Sequence, residues 1–323
     1  MSLVITGGAG FLGQRLARRI LKAGHLALPD ETELLHPRIV LADRPGASLP
    51  GDLAGKVDLI ALDITDAAAT RAALADAQAV FHLAAVVSGQ AEAEFDLGYA
   101  VNFDGTRNVL EAVRATGRVV PVVGTSSLAV FGVSAAEPLS EATATQPTSS
   151  YGAAKAMAEL LMSDYRRKGY AEARVLRLPT IIVRPGAPNA AASSFASSIF
   201  REPLAGQPAR CPVDTGLPMW VASPETAVQA MIHAMRVPLD DWPGFSALNI
   251  PGLTVTVGEM LEALQEAGGI EARDLVTLDP DPAIEAIVAG WPSRFDTALA
   301  DKLGFVAAQV TIGDILRDYI AES

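Results

Sequence analysis

The first half of the chain alternates apolar runs of five or six residues with longer amphipathic segments. The apolar runs lack the polar–apolar alternation of a half-buried strand, which predicts strands that are buried on both faces. They cover residues 2–6, 38–42, 57–62, 79–83, 119–124 and 174–178. The segments with helical spacing cover residues 11–22, 67–75, 103–115 and 151–168. This alternation predicts an α/β fold with a doubly wound parallel sheet.

Local signals set several boundaries of these elements. Ser149 or Ser150 is expected to cap the helix predicted over residues 151–168, and Gly169 is expected to end it. Residues 24–37 form a long connection with two prolines and several acids, which is predicted to be a surface excursion.

The composition of the chain and the length of its helical patterns change after residue 178. Proline and glycine become frequent, and short helical patterns at residues 225–235, 257–267 and 312–320 lie between loops. We predict a sheet domain over residues 1–178 and a smaller irregular lobe over residues 179–323. The lobe is expected to cover the carboxyl ends of the strands, and the chain is free to cross back between the two.

Composition and charge narrow the range of partners. The 323 residues include 25 Lys and Arg against 37 Asp and Glu, a formal net charge of −12. Such a surface repels phosphate backbones and anionic lipids, so neither a nucleic acid nor a membrane is expected as a partner. A single cysteine, Cys211, excludes an internal disulfide, and no metal site is predicted. With no basic leader and no apolar stretch of about 18 residues, a cytoplasmic location is expected.

A glycine-rich turn lies between the first predicted strand and the first helix. Gly7, Gly10 and Gly13 have G-x-x-G-x-x-G spacing, and Phe11 and Leu12 begin the helix. Glycine lets the backbone approach a pyrophosphate, whose charge then meets the helix N-terminus. A glycine turn can also join a strand to a helix for packing reasons alone. Its place in the first β-α unit favours dinucleotide binding, which makes the predicted sheet a Rossmann-type one.

Acids end the next two strands. Asp43 ends the second strand, where a carboxylate accepts hydrogen bonds from the adenosine ribose and repels a 2′-phosphate. Arg44 would instead attract that phosphate, but the acid favours NAD as cofactor over NADP. Asp63, followed by Ile64, ends the third strand. It either faces the adenine or is a solvated loop acid ahead of the next helix.

Tyr151 and Lys155 lie at i and i+4, on one face of a predicted helix. A tyrosine with an ordinary pKa near 10 is a poor base at neutral pH. A neighbouring ammonium and the positive end of the helix both favour its phenolate. Tyr151 is therefore the candidate base that takes a proton from a substrate hydroxyl while hydride leaves the carbon for nicotinamide. Lys155 is expected to assist it and to hold the nicotinamide ribose.

These motifs together resemble the extended short-chain dehydrogenase/reductase superfamily, also called the NAD-dependent epimerase/dehydratase family. The resemblance runs over residues 2 to about 185 and includes the glycine turn, His82-Leu83-Ala84-Ala85, Ser126 to Gly132, and Tyr151-x-x-x-Lys155. It implies that a Ser or Thr five residues before Gly132 bonds the reacting hydroxyl, which points to Ser127, with Ser126 one step away. His82 is interpreted as a structural residue. The remaining cofactor-site residues that the resemblance implies are Leu83, Ala84, Ala85, Leu178 and Asn102, the last of these chiefly as a scaffold.

The substrate class is narrowed by departures from the family's patterns. Dehydratase members resemble Thr-Asp-Glu at the serine site, and Ser127-Leu128-Ala129 lacks these acids. Epimerase members carry an asparagine shortly after the sixth strand, where this chain has Thr180. Segments 176–206 and 291–296 instead resemble NAD-dependent members that oxidise the C2 hydroxyl of a four-carbon sugar acid to a 2-keto acid. A small sugar acid is therefore the predicted substrate, contacted by Ser127, Tyr151 and Thr180.

A sugar acid has a carboxylate, for which a guanidinium fork is the best partner. Arg184, soon after the sixth strand, is the first candidate and Arg294 the second, although either would serve equally in a salt bridge. Residues 190–198 form either a lid or the start of a helix. Candidate hydroxyl partners near this segment are Asn189, Ser193 and Ser194.

Two alternatives remain open: an epimerase that retains tightly bound NAD, and a non-catalytic dinucleotide sensor. The sensor is disfavoured because Tyr151 and Lys155 are both present. The resemblance also implies a homodimer formed through helices 103–115 and 151–168. Apolar residues on the second of these that would serve the contact, or the chain's own core, are Met157, Leu160 and Leu161.

Overall fold

A computed structural model describes residues 2–132, 138–186, 191–244 and 247–322. In chain order its strands are β1 (Ser2–Thr6), β2 (His25–Ala27), β3 (Glu33–Leu35), β4 (Ile39–Asp43), β5 (Asp58–Ala61), β6 (Ala77–His82), β7 (Val120–Ser127), β8 (Ala171–Leu178), β9 (Thr180–Ile181), β10 (Ala209–Cys211), β11 (Pro218–Ala222), β12 (Leu248–Asn249), β13 (Leu253–Thr256) and β14 (Val276–Leu278). Its α-helices are α1 (Phe11–Ala23), α2 (Ala67–Leu74), α3 (Ser88–Ala93), α4 (Phe95–Tyr99), α5 (Thr106–Ala115), α6 (Ser150–Arg167), α7 (Phe195–Leu204), α8 (Pro224–Arg236), α9 (Val257–Asp274), α10 (Pro282–Ala289), α11 (Ala298–Lys302) and α12 (Ile312–Glu322). Single turns of π-helix (Ala100–Gly105) and 3-10 helix (Leu128–Val130, Ala192–Ser194) complete the helical elements described.

Seven strands form one sheet in the order β12-β8-β7-β6-β1-β4-β5, and each neighbouring pair is parallel. The predicted α/β class and all six predicted strands are confirmed. The chain runs from β1 outward to β4 and β5, and then returns to β6 on the other side of β1. The strand order therefore reverses between β1 and β6, which opens a crevice at their carboxyl ends where ligands bind in such folds.

Helices cover both faces of this sheet, which explains why the central positions of β1, β4, β6 and β7 are mostly apolar. Leu3 and Ile5 of β1 share a core with residues of α1 and α8, whereas Val4 points the other way into a core with α5 and α6. A third core belongs to the second half and is built around Phe200 and Met260. This third core supports the segments that lie over the carboxyl ends of the strands.

The structure differs from the sequence predictions in several connections. The excursion at residues 24–37 contains an antiparallel hairpin, β2–β3, and does not remain irregular. The helix predicted to start at residue 103 begins at Thr106, because a π-helical turn precedes it. Helices α3 and α4 were not predicted. After residue 178 the chain returns to the sheet with α8 and β12, so it crosses the predicted domain boundary more than once.

Among the described residues, no helix is both long and apolar enough to span a bilayer. The same residues contain no group of His, Cys, Asp and Glu arranged to hold a metal ion. Cys211 is buried and unpaired.

Candidate active site

The glycine turn packs directly against the loop that follows β6. Gly7 has φ of +68°, and a Cβ there would lie 2.7 Å from the Ala84 nitrogen and 2.9 Å from the Leu83 carbonyl carbon. Only glycine allows both this backbone conformation and this approach. Gly10 caps α1 without any side-chain hydrogen bond, so the first N–H groups of the helix are available to an anion. Gly13 lies in the first turn of α1, where a Cβ would meet the Gly7 carbonyl oxygen at 2.7 Å.

Asp43 lies at the end of β4, as predicted, and holds the glycine turn in place. One carboxylate oxygen accepts a hydrogen bond of 2.9 Å from the Ala9 N–H, and the other accepts one of 2.8 Å from the Arg44 N–H. Asp63 is exposed and accepts hydrogen bonds from the backbone and hydroxyl of Thr65, which form a local turn ahead of α2. Of the two interpretations of Asp63, the loop acid accounts for the contacts that it makes.

The loop after β6 is fixed from below by Asn102. Its side-chain amide accepts a hydrogen bond of 2.8 Å from the Val86 N–H and donates one of 3.0 Å to the Val86 carbonyl. Since both ends of this buried amide are occupied, Asn102 shapes the loop and leaves contact with a cofactor to its neighbours. Ile64 is also buried and packs against Gly105, just beyond Asn102.

His82 at the end of β6 is a structural residue in this geometry. The Thr106 hydroxyl donates to the Asn102 carbonyl at 2.8 Å, so it accepts a hydrogen bond from His82 Nε2 at 2.9 Å. The Thr6 hydroxyl then donates to His82 Nδ1 at 2.7 Å. Burial, together with the charge of Lys155, lowers the pKa of His82 to about 3. The imidazole is therefore neutral and satisfied at both nitrogens.

Tyr151 and Lys155 project from the first two turns of α6 into a cavity at the carboxyl ends of the strands. Ser149, one of the two predicted caps, accepts a hydrogen bond of 3.1 Å from the Gly152 N–H and so begins the helix. Lys155 Nζ donates to the Thr125 carbonyl at 2.9 Å and lies 5.9 Å from the centre of the Tyr151 ring. The helix is thereby joined to the end of β7, which carries the two candidate serines.

The two candidate serines point in different directions, as successive residues of a strand do. Ser127 Oγ accepts the Ala129 N–H at 3.2 Å, lines the cavity together with Tyr151, and acts to lower the pKa of the Tyr151 hydroxyl. Ser126 also borders the cavity, but its hydroxyl donates to the Glu159 carboxylate at 2.5 Å. Ser127 is thus the serine whose hydroxyl faces the tyrosine.

Burial dominates the ionisation of the Tyr/Lys pair. It raises the pKa of Tyr151 to about 12, while the Ser127 hydroxyl and the charge of Arg184 act in the opposite direction. It also lowers the pKa of Lys155 to about 8, against the charge of Glu159. From the sequence, Lys155 is expected to lower the pKa of Tyr151. In the structure the loss of water outweighs such help, and the groups that favour the phenolate are Ser127 and Arg184.

Glu159 and Arg177 form a buried pair behind the site that the sequence reasoning missed. Glu159 accepts two hydrogen bonds from the Arg177 guanidinium, at 3.0 and 2.7 Å, besides the one from Ser126. The pair ties α6 to β8 and to the end of β7. The sequence does indicate that Glu159 lies near the site, because Glu159 continues the i, i+4 series of Tyr151 and Lys155 along one helix face.

The cavity has a volume of about 250 Å³ and is lined by both halves of the chain. Predicted cofactor residues that line it, besides Tyr151 and Lys155, are Leu12, Leu83, Ala85 and Leu178. Predicted substrate residues that line it are Ser127, Thr180, Arg184 and Ser193. Phe11 is outside it, with its ring 5.8 Å from the Arg15 guanidinium carbon. Asn189 lies outside the described residues.

The two candidate arginines have different surroundings. Arg184 lies in the cavity, and burial together with the charge of Arg201 lowers its pKa. Its backbone is held on both sides, since Ser197 Oγ accepts its N–H at 3.1 Å and Arg201 donates to its carbonyl at 2.7 Å. No carboxylate of the described residues forms a salt bridge with it. Arg294 is exposed and does not line the cavity, so its placement as a substrate residue is not supported by this geometry.

Residues 3–234 match the NAD dependent epimerase/dehydratase family. The chain belongs to this family. A D-erythronate dehydrogenase of Cupriavidus necator is 44% identical over 100% of this chain and 99% of its own length. One of Haemophilus influenzae is 43% identical over 94% of each chain. The crystal structure of a nucleoside-diphosphate-sugar epimerase from Agrobacterium tumefaciens superposes with a TM-score of 0.91 at 39% identity, covering 100% of this chain and 94% of that one.

The cofactor of this family member is NAD, and the residues present fit it. The unpartnered N–H groups at the start of α1, beside a turn that a Cβ would fill, suit a pyrophosphate. Asp43 presents a carboxylate at the end of β4, next to that turn. The predictions of the family and of NAD are therefore confirmed.

Proposed function

We propose that this chain oxidises the C2 hydroxyl of D-erythronate to the corresponding 2-keto acid, with NAD as the acceptor. The observation that carries the proposal is Arg184, a cation without an acidic partner among the described residues, in the same cavity as Tyr151 and Ser127. An arginine beside a Tyr/Ser/Lys constellation suits a substrate whose reacting hydroxyl is adjacent to a carboxylate. Full-length relatives that are named D-erythronate dehydrogenases support the four-carbon acid in particular.

NAD would be held by the backbone of Gly7–Gly13, by Asp43, by Lys155 and by the apolar residues that line the cavity. When bound, it supplies the acceptor for the hydride that leaves C2 of the substrate. The chain itself supplies binding, orientation and proton transfer. Leu12, Leu83 and Leu178 supply an apolar lining for the nicotinamide end and limit the access of water.

Tyr151 is the proposed base. Its oxygen takes the proton of the C2 hydroxyl as the C2–H bond breaks and the carbonyl forms. Ser127 is the proposed second partner of that hydroxyl, because it lines the cavity beside Tyr151 and its O–H can donate while its oxygen accepts the Ala129 N–H. The raised pKa of Tyr151 means that the phenol is protonated in the free site at neutral pH, so cationic neighbours are needed to make it an acceptor.

Arg184 already favours the Tyr151 phenolate, and Lys155 is proposed to add positive charge beside the tyrosine ring. Lys155 is held by the Thr125 carbonyl near the tyrosine ring, and Glu159 favours its charged form. Arg184 is proposed to bind the substrate carboxylate, which would also bring the C2 hydroxyl to Tyr151. Thr180, which lines the same cavity, is proposed to contact the substrate as well.

The test is NADH formation from NAD and a panel of four- and five-carbon aldonates. D-Erythronate is expected to give the highest kcat/KM, and no turnover across the panel would reject the proposal. Tyr151→Phe is expected to lower kcat by at least about 100-fold while leaving NAD binding intact. Arg184→Met is expected to raise KM for the acid by more than about 10-fold, whereas Arg210→Met, at an exposed arginine outside the cavity, leaves KM unchanged.

A nucleotide-sugar epimerase is the second candidate, and the name of the Agrobacterium structure is the observation that favours it. An epimerase recycles its cofactor and has no need to release it. Purification with stoichiometric NAD, together with inversion of a nucleotide sugar without net NADH, would support this candidate. Free exchange of NAD and net NADH formation would support the dehydrogenase.

The sequence predicts a homodimer through helices 103–115 and 151–168. We also propose a homodimer through α6, with α4 in place of helix 103–115, because the Val and Leu side chains of α5 are buried. Phe95 and Leu97 on α4 are 58% and 36% exposed, and Leu160 on α6 is 67% exposed, although α4 and α6 pack together. Such neighbouring apolar side chains on a surface are typical of an interface. The mass of the protein in solution, from sedimentation or light scattering, tests this.

A further inference from the structure

Three polar side chains line the active-site cavity without a part in the proposed chemistry. They are Ser88 at the start of α3, Ser193 in the turn before α7, and Trp291 after α10. Within the described residues, neither the Ser193 hydroxyl nor the Trp291 indole N–H makes a hydrogen bond. Ser88 Oγ accepts the Ala192 N–H at 3.3 Å, so its own proton remains available.

Ser88, Ser193 and Trp291 form one wall of the cavity, and packing and hydrogen bonds hold this wall in place. The Ser88–Ala192 hydrogen bond joins the loop after β6 to the turn that carries Ser193, and both Ser88 and Ala192 are buried. Trp291 packs on the core of the second half, and its backbone N–H donates to the Val288 carbonyl at 3.0 Å. The polar atoms are thus presented to the cavity by fixed backbone and fixed neighbours.

The chemistry of a sugar acid explains why such a wall would be present. Once the carboxylate and the C2 hydroxyl are bound, a four-carbon aldonate still has hydroxyls at C3 and C4 that lose water on entering the cavity. A hydroxyl that leaves water without a new hydrogen bond weakens binding, and so does a wall hydroxyl left opposite a methyl group. The Ser193 hydroxyl can donate and accept a hydrogen bond, whereas the Ser88 O–H and the Trp291 indole N–H can each donate one.

On the basis of the proposed function, we infer that Ser193, together with Ser88 and Trp291, binds the C3 and C4 hydroxyls of the substrate. This wall selects polyhydroxy acids over 2-hydroxy acids with a plain alkyl chain. It is distinct from the groups that perform the oxidation, because none of the three residues hydrogen-bonds to Tyr151, Lys155 or Ser127 within the described residues.

The test is a cycle that removes the enzyme hydroxyl and the substrate hydroxyl separately and together. Wild type and Ser193→Ala are assayed with D-erythronate and with its 3-deoxy and 4-deoxy analogues. For at least one analogue, wild type is expected to lose on the order of 10-fold or more in kcat/KM. Ser193→Ala is expected to lose a similar factor with D-erythronate and little further with that analogue. Trp291→Phe, which keeps the ring and removes the N–H, is expected to show the same pattern.

Equal losses by Ser193→Ala on D-erythronate and on both analogues would overturn the inference, because the effect would then be structural. No loss on any substrate, or no discrimination by wild type, would overturn it as well. Ser198→Ala is the control, since that hydroxyl bonds the Phe195 carbonyl within α7 and does not line the cavity. Failure of the proposed function is seen separately, as absence of NADH formation by wild type.

Discussion

The buried pair of Glu159 and Arg177 offers the most quantitative prediction. Both side chains are 6% exposed, and two of the three guanidinium nitrogens bond the carboxylate at 2.7 and 3.0 Å. The Phe131 ring lies 4.6 Å from the guanidinium carbon. Arg177→Met keeps an apolar side chain against this ring but leaves the Glu159 carboxylate in the interior, with Ser126 as its one remaining hydrogen-bond donor among the described residues.

An unpaired buried charge is expensive, whereas an apolar replacement of both partners is often close to neutral. Arg177→Met is therefore expected to lower the free energy of unfolding by about 3–5 kcal/mol. At roughly 2 °C per kcal/mol for a large domain, Tm falls by about 6–10 °C. The double variant Glu159→Met/Arg177→Met is expected to recover most of this, with about 1 kcal/mol still lost because Ser126 loses its acceptor.

Thermal and urea unfolding of wild type, the single variant and the double variant measure these values. Arg167→Met is a matched control on α6, the helix that carries Glu159, because Arg167 and Asp164 form an i, i+3 pair with both side chains 55% exposed. Its cost is expected to stay under about 0.5 kcal/mol. An Arg177→Met protein within about 1 kcal/mol of wild type, or a double variant less stable than the single one, would refute the reasoning.

Further predictions concern the cofactor turn, its selectivity, a buried histidine and the dimer. Gly7→Ala is expected to abolish NAD binding, whereas Gly55→Ala, also at positive φ but with no atom within 4 Å of an added Cβ, leaves NAD titrations unchanged; equal effects would contradict the role of close approach. Asp43→Asn is expected to raise the NADP to NAD ratio of kcat/KM by about 10-fold or more, and an unchanged ratio would remove Asp43 from cofactor choice. His82 stays neutral in the folded state down to its pKa of about 3 but is protonated in the unfolded chain below about 6.5, so stability falls as the pH drops between these values. The stability difference between wild type and His82→Gln should therefore shrink from pH 7 to pH 5, and a constant difference would contradict this. Leu160→Glu is expected to give a monomer in sedimentation, unlike Leu278→Glu at another exposed apolar site; two unchanged dimers would exclude α6 from the interface.

Short sequence patterns encode much of the fold. A parallel strand covered on both faces is mostly apolar at its centre, so β1, β6 and β7 are visible as short apolar runs at residues 3–5, 79–81 and 120–123. The two-residue strand β12 leaves no such trace, because it exists only through its pairing with β8 across a long stretch of chain. Short helices such as α4 were missed for a related reason, since packing on α6 stabilises them more than their own residues do.

The sequence by itself determined the groups whose function depends on local spacing. The glycine turn and the Tyr151/Lys155 pair are defined by a few bonds of backbone, and neither needs a distant segment to be recognised. Tertiary structure alone decided which way each side chain points and what it meets. It separated Ser127 from Ser126, placed Arg184 in the cavity and Arg294 outside it, and paired Glu159 with Arg177. These outcomes depend on burial and on contacts between segments that lie far apart in the chain. A local sequence pattern does not encode such contacts.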